Sequence, residues 1–292
     1  MNAVKSEIRQ VRELRQIIPA LTTQDGAGVK IKRSLGQSAE TRLDPILMLD
    51  EFNSDQADDY IAGFPAHPHR GFETVTYMLD GHMLHEDHLG NRGNLRAGDV
   101  QWMTAGRGII HSEMPQQEKG RMRGFQLWIN LPAAEKMQPA AYRDINADSI
   151  PVVDLNSGVS VKVIAGEFST IAGTTAAALP KSSVDPLYWD VTLPDGVSES
   201  LAVPPNHQLM IYPYQGEILV GELHRRLPCS QAGILTSGST IELQGTGPTR
   251  ALIIGGKAIN EPIAQHGPFV MNTDKEIEQA IYDYRCGKLT ET

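Results

Sequence analysis

Two short segments of this chain carry residues suited to one shared task. His67-Pro68-His69 sets two imidazoles at i and i+2, and His111-Ser112-Glu113 sets an imidazole and a carboxylate at the same spacing. On an extended backbone, side chains two apart project from one face. If the two segments are neighbouring strands, three ring nitrogens and one carboxylate oxygen converge on a point. Such a set suits a divalent first-row metal at about 2.0–2.2 Å. Either pair alone also reads as surface or hydrogen-bonded side chains, so the pairing of the segments decides.

The elements needed to bring them together are short alternating runs closed by glycine. Glu73 to Leu79 ends at Asp80-Gly81, and His82 to His88 ends at Leu89-Gly90-Asn91. Val100–Met103, Phe125–Ile129 and Val159–Ile164 continue the pattern, which predicts an all-β sandwich or barrel. A helix is expected at two places. Residues 4–20 place Ile8, Val11 and Ile18, with Leu21 beyond, at helix-like spacing, before the strand-like Val29-Lys30-Ile31-Lys32. Thr273 to Leu289 offers Thr273 as N-cap, an acidic first turn, one face of Ile277, Ala280, Ile281 and Tyr284, and Gly287 as a stop.

A weak internal repeat suggests two similar β domains. Val75 to Gly81 is echoed by Met210 to Gly216, and Leu95 to Val100 by Leu235 to Thr240. The boundary is expected between Leu131 and Pro151, dividing the chain into residues 1–150, with the metal site, and 151–292, a second barrel without metal that ends in the helix.

Composition narrows the function classes. The 292 residues carry 26 Lys and Arg against 35 Asp and Glu, a formal net charge of −9. A surface of that sign lacks the clustered positive charge that nucleic acid or anionic membrane requires. Lys30, Lys32 and Arg33 are too short a basic run to change this. No apolar stretch is long enough to span a bilayer, and the charged first 20 residues do not read as a targeting segment. Two cysteines, Cys229 and Cys286, exclude a disulfide scaffold and read as unpaired and inert, so a cytoplasmic protein is expected. His82, His85 and His88 would make a metal face on a helix, but read as a hairpin strand with a solvated polar face, His82 and His88 on one side and His85 on the other. His207, His224 and His266 stand alone, and the second barrel shows no counterpart of the ligand set.

The runs around the two pairs are more specific. His67-Pro68-His69-Arg70-Gly71-Phe72-Glu73-Thr74-Val75-Thr76-Tyr77 resembles a signature of the pirin family, within the cupin superfamily. So do Asp44 to Phe52, Gly98 to Pro115, Gln126 to Pro132 and Val163 to Glu167. Glu261-Pro262-Ile263, Gly267 to Thr273 and Asp283-Tyr284 extend the resemblance, which is thin over 168–250. It implies an all-β fold of two tandem cupin (double-stranded β-helix, or jelly-roll) barrels with a short C-terminal helix. It also implies iron(II) held by His67, His69, His111 and Glu113, although ligand chemistry alone also admits Mn, Ni, Co, Cu or Zn. Glu73 occupies the carboxylate position of other cupins; here it is expected to orient a ligand or pair with Arg70.

Three imidazoles and a carboxylate on a 2+ ion leave about one positive charge and two open positions. The resemblance implies a dioxygenase of the quercetin 2,3-dioxygenase type, opening a flavonol with O₂ and releasing carbon monoxide, with Glu113 as ligand and transient base. It equally implies a second class of function, a redox-responsive iron protein that acts through protein partners without turnover. A small aromatic, flavonol-like substrate or a protein partner is therefore expected, in a monomer that touches neither nucleic acid nor membrane directly.

Overall fold

The computed structural model describes residues 10–177, 179 and 182–291. It is built from 26 strands and one α-helix among the described residues. None of its helices is long and apolar enough to cross a membrane. Two compact units form, each of which is a cupin domain.

One unit comprises residues 20–150, 182–184 and 258–292. Its larger sheet has seven strands in the order Ala141–Ile145, Val100–Thr104, Phe72–Asp80, Met122–Asn130, Ile46–Ser54, Val29–Leu35 and Leu21–Asp25. A four-stranded sheet faces it: Phe64–His69, Ile109–Pro115, His82–Asp87 and Arg92–Arg96. Met83 and Leu95 of the smaller sheet pack against Ile31, Phe52, Met78 and Met122 of the larger. Inward apolar residues from both sheets thereby close one end of the barrel, by the burial that drives sheet-on-sheet packing.

The other unit comprises residues 1–19, 151–181 and 185–257. Its seven-stranded sheet repeats the same order with Leu14–Pro19, Gln231–Leu235, His207–Gln215, Thr249–Lys257, Leu187–Leu193, Ser160–Ala165 and Val152–Asp154. Its four-stranded sheet is Ser198–Ala202, Thr240–Gly245, Ile218–Val220 and Arg225–Leu227.

These units differ from a linear division into 1–150 and 151–292. Residues 10–19 belong with the later barrel, and the C-terminal helix belongs with the earlier one. The expected helix over residues 4–20 is also corrected. Ile8 lies outside the described residues, and Leu14–Pro19 is a strand paired antiparallel to Gln231–Leu235. Leu14 and Ile18 are buried there, so an available sheet edge outweighs a weak helical periodicity. The C-terminal helix runs Asp274–Arg285, capped by Thr273 and Glu276 in a reciprocal capping box.

The repeat is real in topology, and one of its two echoes falls on matching positions of the barrels. Val75 to Asp80 and Met210 to Gln215 lie on matching central strands. Leu95 to Val100, however, matches Leu227 to Gln231, since Gln231–Leu235 is the counterpart of Val100–Thr104. The turn needs a left-handed residue, which is Gly98 (φ 89°) in one barrel and Ser230 (φ 56°) in the other. A serine in that position carries no glycine signal.

One cross-strand row separates the barrels chemically. In the first it reads Arg33, Asp50, Gln126, Thr76, Gln101. The matching row of the second is Val163, Trp189, Ile253, Ile211, Gly233. Trp189, Ile211 and Ile253 are fully buried in an apolar core that fills the second barrel. The polar row of the first lines an open interior.

Candidate metal centre

The strands Phe64–His69 and Ile109–Pro115 are antiparallel neighbours, with His111 opposite His67 and Ile109 opposite His69. This register gathers the three imidazoles. One nitrogen from each of His67, His69 and His111 lies within 4.8 Å of the others. His67 Nε2 stands 3.0 Å from His69 Nε2, and the His67 and His111 ring centres are 4.4 Å apart. Phe72 and Trp128 pack edge-on against His69 and hold its ring.

The protonation pattern fits a cation. His67 Nδ1 donates to the Pro65 carbonyl at 2.8 Å, which leaves the Nε2 of a neutral ring bare. That bare nitrogen faces another imidazole nitrogen at hydrogen-bond distance. Two ligands about 2.1 Å from one ion and at right angles stand about 3.0 Å apart, which is the spacing found here. His111 Nε2 is buried without a hydrogen-bond partner. Burial, together with neighbouring imidazole charge, holds His69 and His111 well below the ordinary histidine range. They are neutral at physiological pH and have no proton to shed before coordination.

Glu113 stands apart from the histidine group. A register shift between His111 and Glu113 interrupts the strand pair. Its carboxylate is buried, with Oε1 accepting from Thr76 Oγ1 at 2.9 Å and Oε2 from Gln126 Nε2 at 3.0 Å. The polar row thus anchors Glu113 on the wall of the interior it shares with His67 and His69.

That interior is a cavity of about 620 Å³, lined by His67, His69 and Glu113 on one side and by Phe52, Phe64 and Trp128 on others. Arg33 and Asp50 form a two-pronged ion pair in its wall, at 2.8 and 2.7 Å. The hairpin Ala264–His266 and Phe269–Met271 supplies Gln265, Gly267 and Pro268 to the lining.

Two sequence expectations are corrected here. Glu73 does not pair with Arg70: it is buried on the neighbouring strand, where it accepts from Thr104 Oγ1 at 2.6 Å. Arg70 instead donates to Asp283, to the Arg107 carbonyl and to the Leu289 carbonyl. His85 does not face solvent. It is fully buried, with Nδ1 3.3 Å from His111 Nδ1, and Tyr142 stacks on it at 4.5 Å. Tyr142 comes from a strand whose pattern gave no hint of the site; the only signal is Gly93, opposite His85, where a Cβ would overlap the Tyr142 hydroxyl. His82 is partly exposed and bonded to Asn94, and His88 is exposed. In the other unit, His207 sits 3.3 Å from Asp185 and Cys229 is free and exposed, as is Cys286 at the end of the C-terminal helix.

Comparison with known proteins agrees with this architecture. The pirin family profile matches residues 28–129, and the profile of the pirin C-terminal cupin domain matches residues 188–290. A Pseudomonas aeruginosa protein named "Putative quercetin 2,3-dioxygenase" is 49% identical over 96% of this chain and 98% of its own. Human pirin is 39% identical over 90% of this chain and 89% of its own. A crystal structure of quercetin 2,3-dioxygenase from Acinetobacter baumannii superposes with a TM-score of 0.87 at 32% identity, covering 96% and 99% of the two chains. With both barrels matched and the histidine cluster in the first of them, this chain belongs to the pirin family.

Proposed function

We propose that this protein is a metal-dependent dioxygenase of the quercetin 2,3-dioxygenase type, with iron(II) held by His67, His69, His111 and Glu113. The observation that carries the reading is the cavity opening directly onto the histidine cluster. At about 620 Å³ it lies within the range of small-molecule sites, roughly 300–1,000 Å³. Its aromatic walls suit a flat polyphenol, and His67, His69 and Glu113 supply polar groups to the same lining.

The bound metal would supply Lewis acidity toward a substrate oxygen and a site for dioxygen. The protein does the rest. Phe52, Phe64 and Trp128 bind the rings and exclude water from them. His67 keeps Nε2 bare through its Nδ1 bond to Pro65. Glu113 accepts the proton of the substrate hydroxyl at a carboxylate oxygen, while Thr76 and Gln126 hold the group in place. Arg33 brings no positive charge to the cavity, because it is paired with both Asp25 and Asp50 and the three groups together carry a net negative charge.

The test is oxygen uptake. Iron-loaded protein supplied with a flavonol should consume O₂ and release carbon monoxide, and the Glu113→Gln variant should be slowed by about 10²-fold or more. Iron retained with no uptake from any flavonol would sink the enzymatic reading and leave the redox-responsive regulatory one.

A further inference from the structure

Behind His111, on the side away from the cavity, lies a buried chain of polar groups that the proposed reaction does not use. His85 Nδ1 is 3.3 Å from His111 Nδ1, and His85 Nε2 is 3.6 Å from Asp87 Oδ2. The side chains of His85 and Asp87 are both fully buried. Asp87 is fixed by its own turn, where Oδ1 accepts from the Leu89 and Asn91 amides and Oδ2 accepts from Asn91 Nδ2. His85 cannot swing away, because the Tyr142 ring lies flat on it with an interplanar angle of 26°. The Tyr142 hydroxyl is itself pinned between Asp144 and Gln101.

Two Nδ1 atoms this close share one proton: one ring donates and the other is bare. The direction of that bond decides the chemistry of His111. If His85 donates, His111 carries its proton on Nε2, the atom facing His67 and His69, and offers them no ligand. If His111 donates, its Nε2 is bare. The buried Asp87 carboxylate selects between the two. Its negative charge, 3.6 Å from His85 Nε2 and acting through space and not as a hydrogen bond, favours a proton there, which leaves His85 Nδ1 as the acceptor.

The geometry points to His85 and Asp87 as positioning residues that set the tautomer of His111, with the proton order Asp87, Nε2–H of His85, Nδ1–H of His111. This rests on the reading of His111 as a metal ligand, and it assigns the arrangement to the protein rather than to the ion. The site is therefore preset before any cation arrives.

Metal-free protein labelled with ¹⁵N-histidine tests this directly through long-range ¹H–¹⁵N spectra at neutral pH. His111 is expected as the Nδ1–H tautomer and His85 as the Nε2–H tautomer. His111 found protonated on Nε2 would overturn the assignment, whether or not the protein turns over any substrate. A second readout is Co²⁺ affinity. His85→Phe keeps the ring volume but removes the acceptor, and should weaken Co²⁺ binding about 10–100-fold. His85→Gln, whose amide oxygen can accept from His111 Nδ1, should recover part of that loss. Equal Co²⁺ affinity in wild type and His85→Phe would overturn the role. Should His85→Phe fail to fold, the wild-type spectrum alone decides. Correct tautomers without oxygen uptake would remove the dioxygenase reading and leave this one standing.

Discussion

Arg70 Nη1 donates to Asp283 Oδ2 at 2.7 Å, tying the residue that follows His69 to the C-terminal helix. The Arg70 side chain is only 5% exposed, and two backbone carbonyls complete its bonding. Asp283→Ala should cost about 2–3 kcal/mol, because it leaves a buried guanidinium short of its counter-charge. Partial burial works against ionisation of Asp283, but the hydrogen bonds from Arg70 and Gln279 hold it below the usual carboxylate range. A depressed carboxyl stabilises above its unfolded value, about pH 4, and the contribution fades as pH falls through the folded value. Urea melts from pH 7 downward should show the gap between the two proteins constant at first and narrowing as the pH falls below about 4.

Lys136 gives the opposite pH sign. Its buried ammonium donates to the carbonyls of Gly71 and Val270 and to Asn130 Oδ1, at 2.8, 3.1 and 2.6 Å. Burial lowers it to about 8. A base depressed on folding costs most below its folded value, and the cost is relieved as pH rises toward the unfolded value near 10.4. Between pH 8 and pH 10.5 the wild type should therefore gain up to about 3 kcal/mol relative to Lys136→Met. A flat difference across that window would refute the assignment.

Gly71 has no room for a side chain. Its φ is 90°, and an added Cβ would overlap the Val270 carbonyl oxygen. Gly71→Ala should lose about 3 kcal/mol or more through strain and displacement of the Val270 segment. Denaturation of the metal-free protein measures this without interference from ion binding.

Metal binding should be visible as stability. An ion at one hundred times its dissociation constant adds about 2.7 kcal/mol, which for a domain of this size raises Tm by roughly 5–10 °C. Chelator should remove the gain in wild type. His69→Gln and His111→Gln should show no gain, and a shift retained in either would place the ion elsewhere.

The grouping of His67, His69 and His111 was legible because an i, i+2 spacing on strands has one geometric meaning, and the strands themselves announced their alternation. His85 was not legible. Alternation put it on the face opposite His82 and His88, but only the fold reveals that Tyr142 covers that face. Leu14–Pro19 was hidden for a related reason: its partner strand lies more than 200 residues away, and no local pattern reports it. The position of Glu113 depends on a register shift between two strands, a feature set by pairing and not by residue type.

The exchange of chain ends between the units has a consequence for the order of synthesis. The hairpin Ala264–Met271, which walls the cavity beside His69, is translated after every strand of the other barrel. A growing chain therefore presents His67, His69 and His111 long before their pocket can close. The wall beside the histidines is complete only once the chain has passed residue 271, which makes the cavity one of the last features that synthesis can finish.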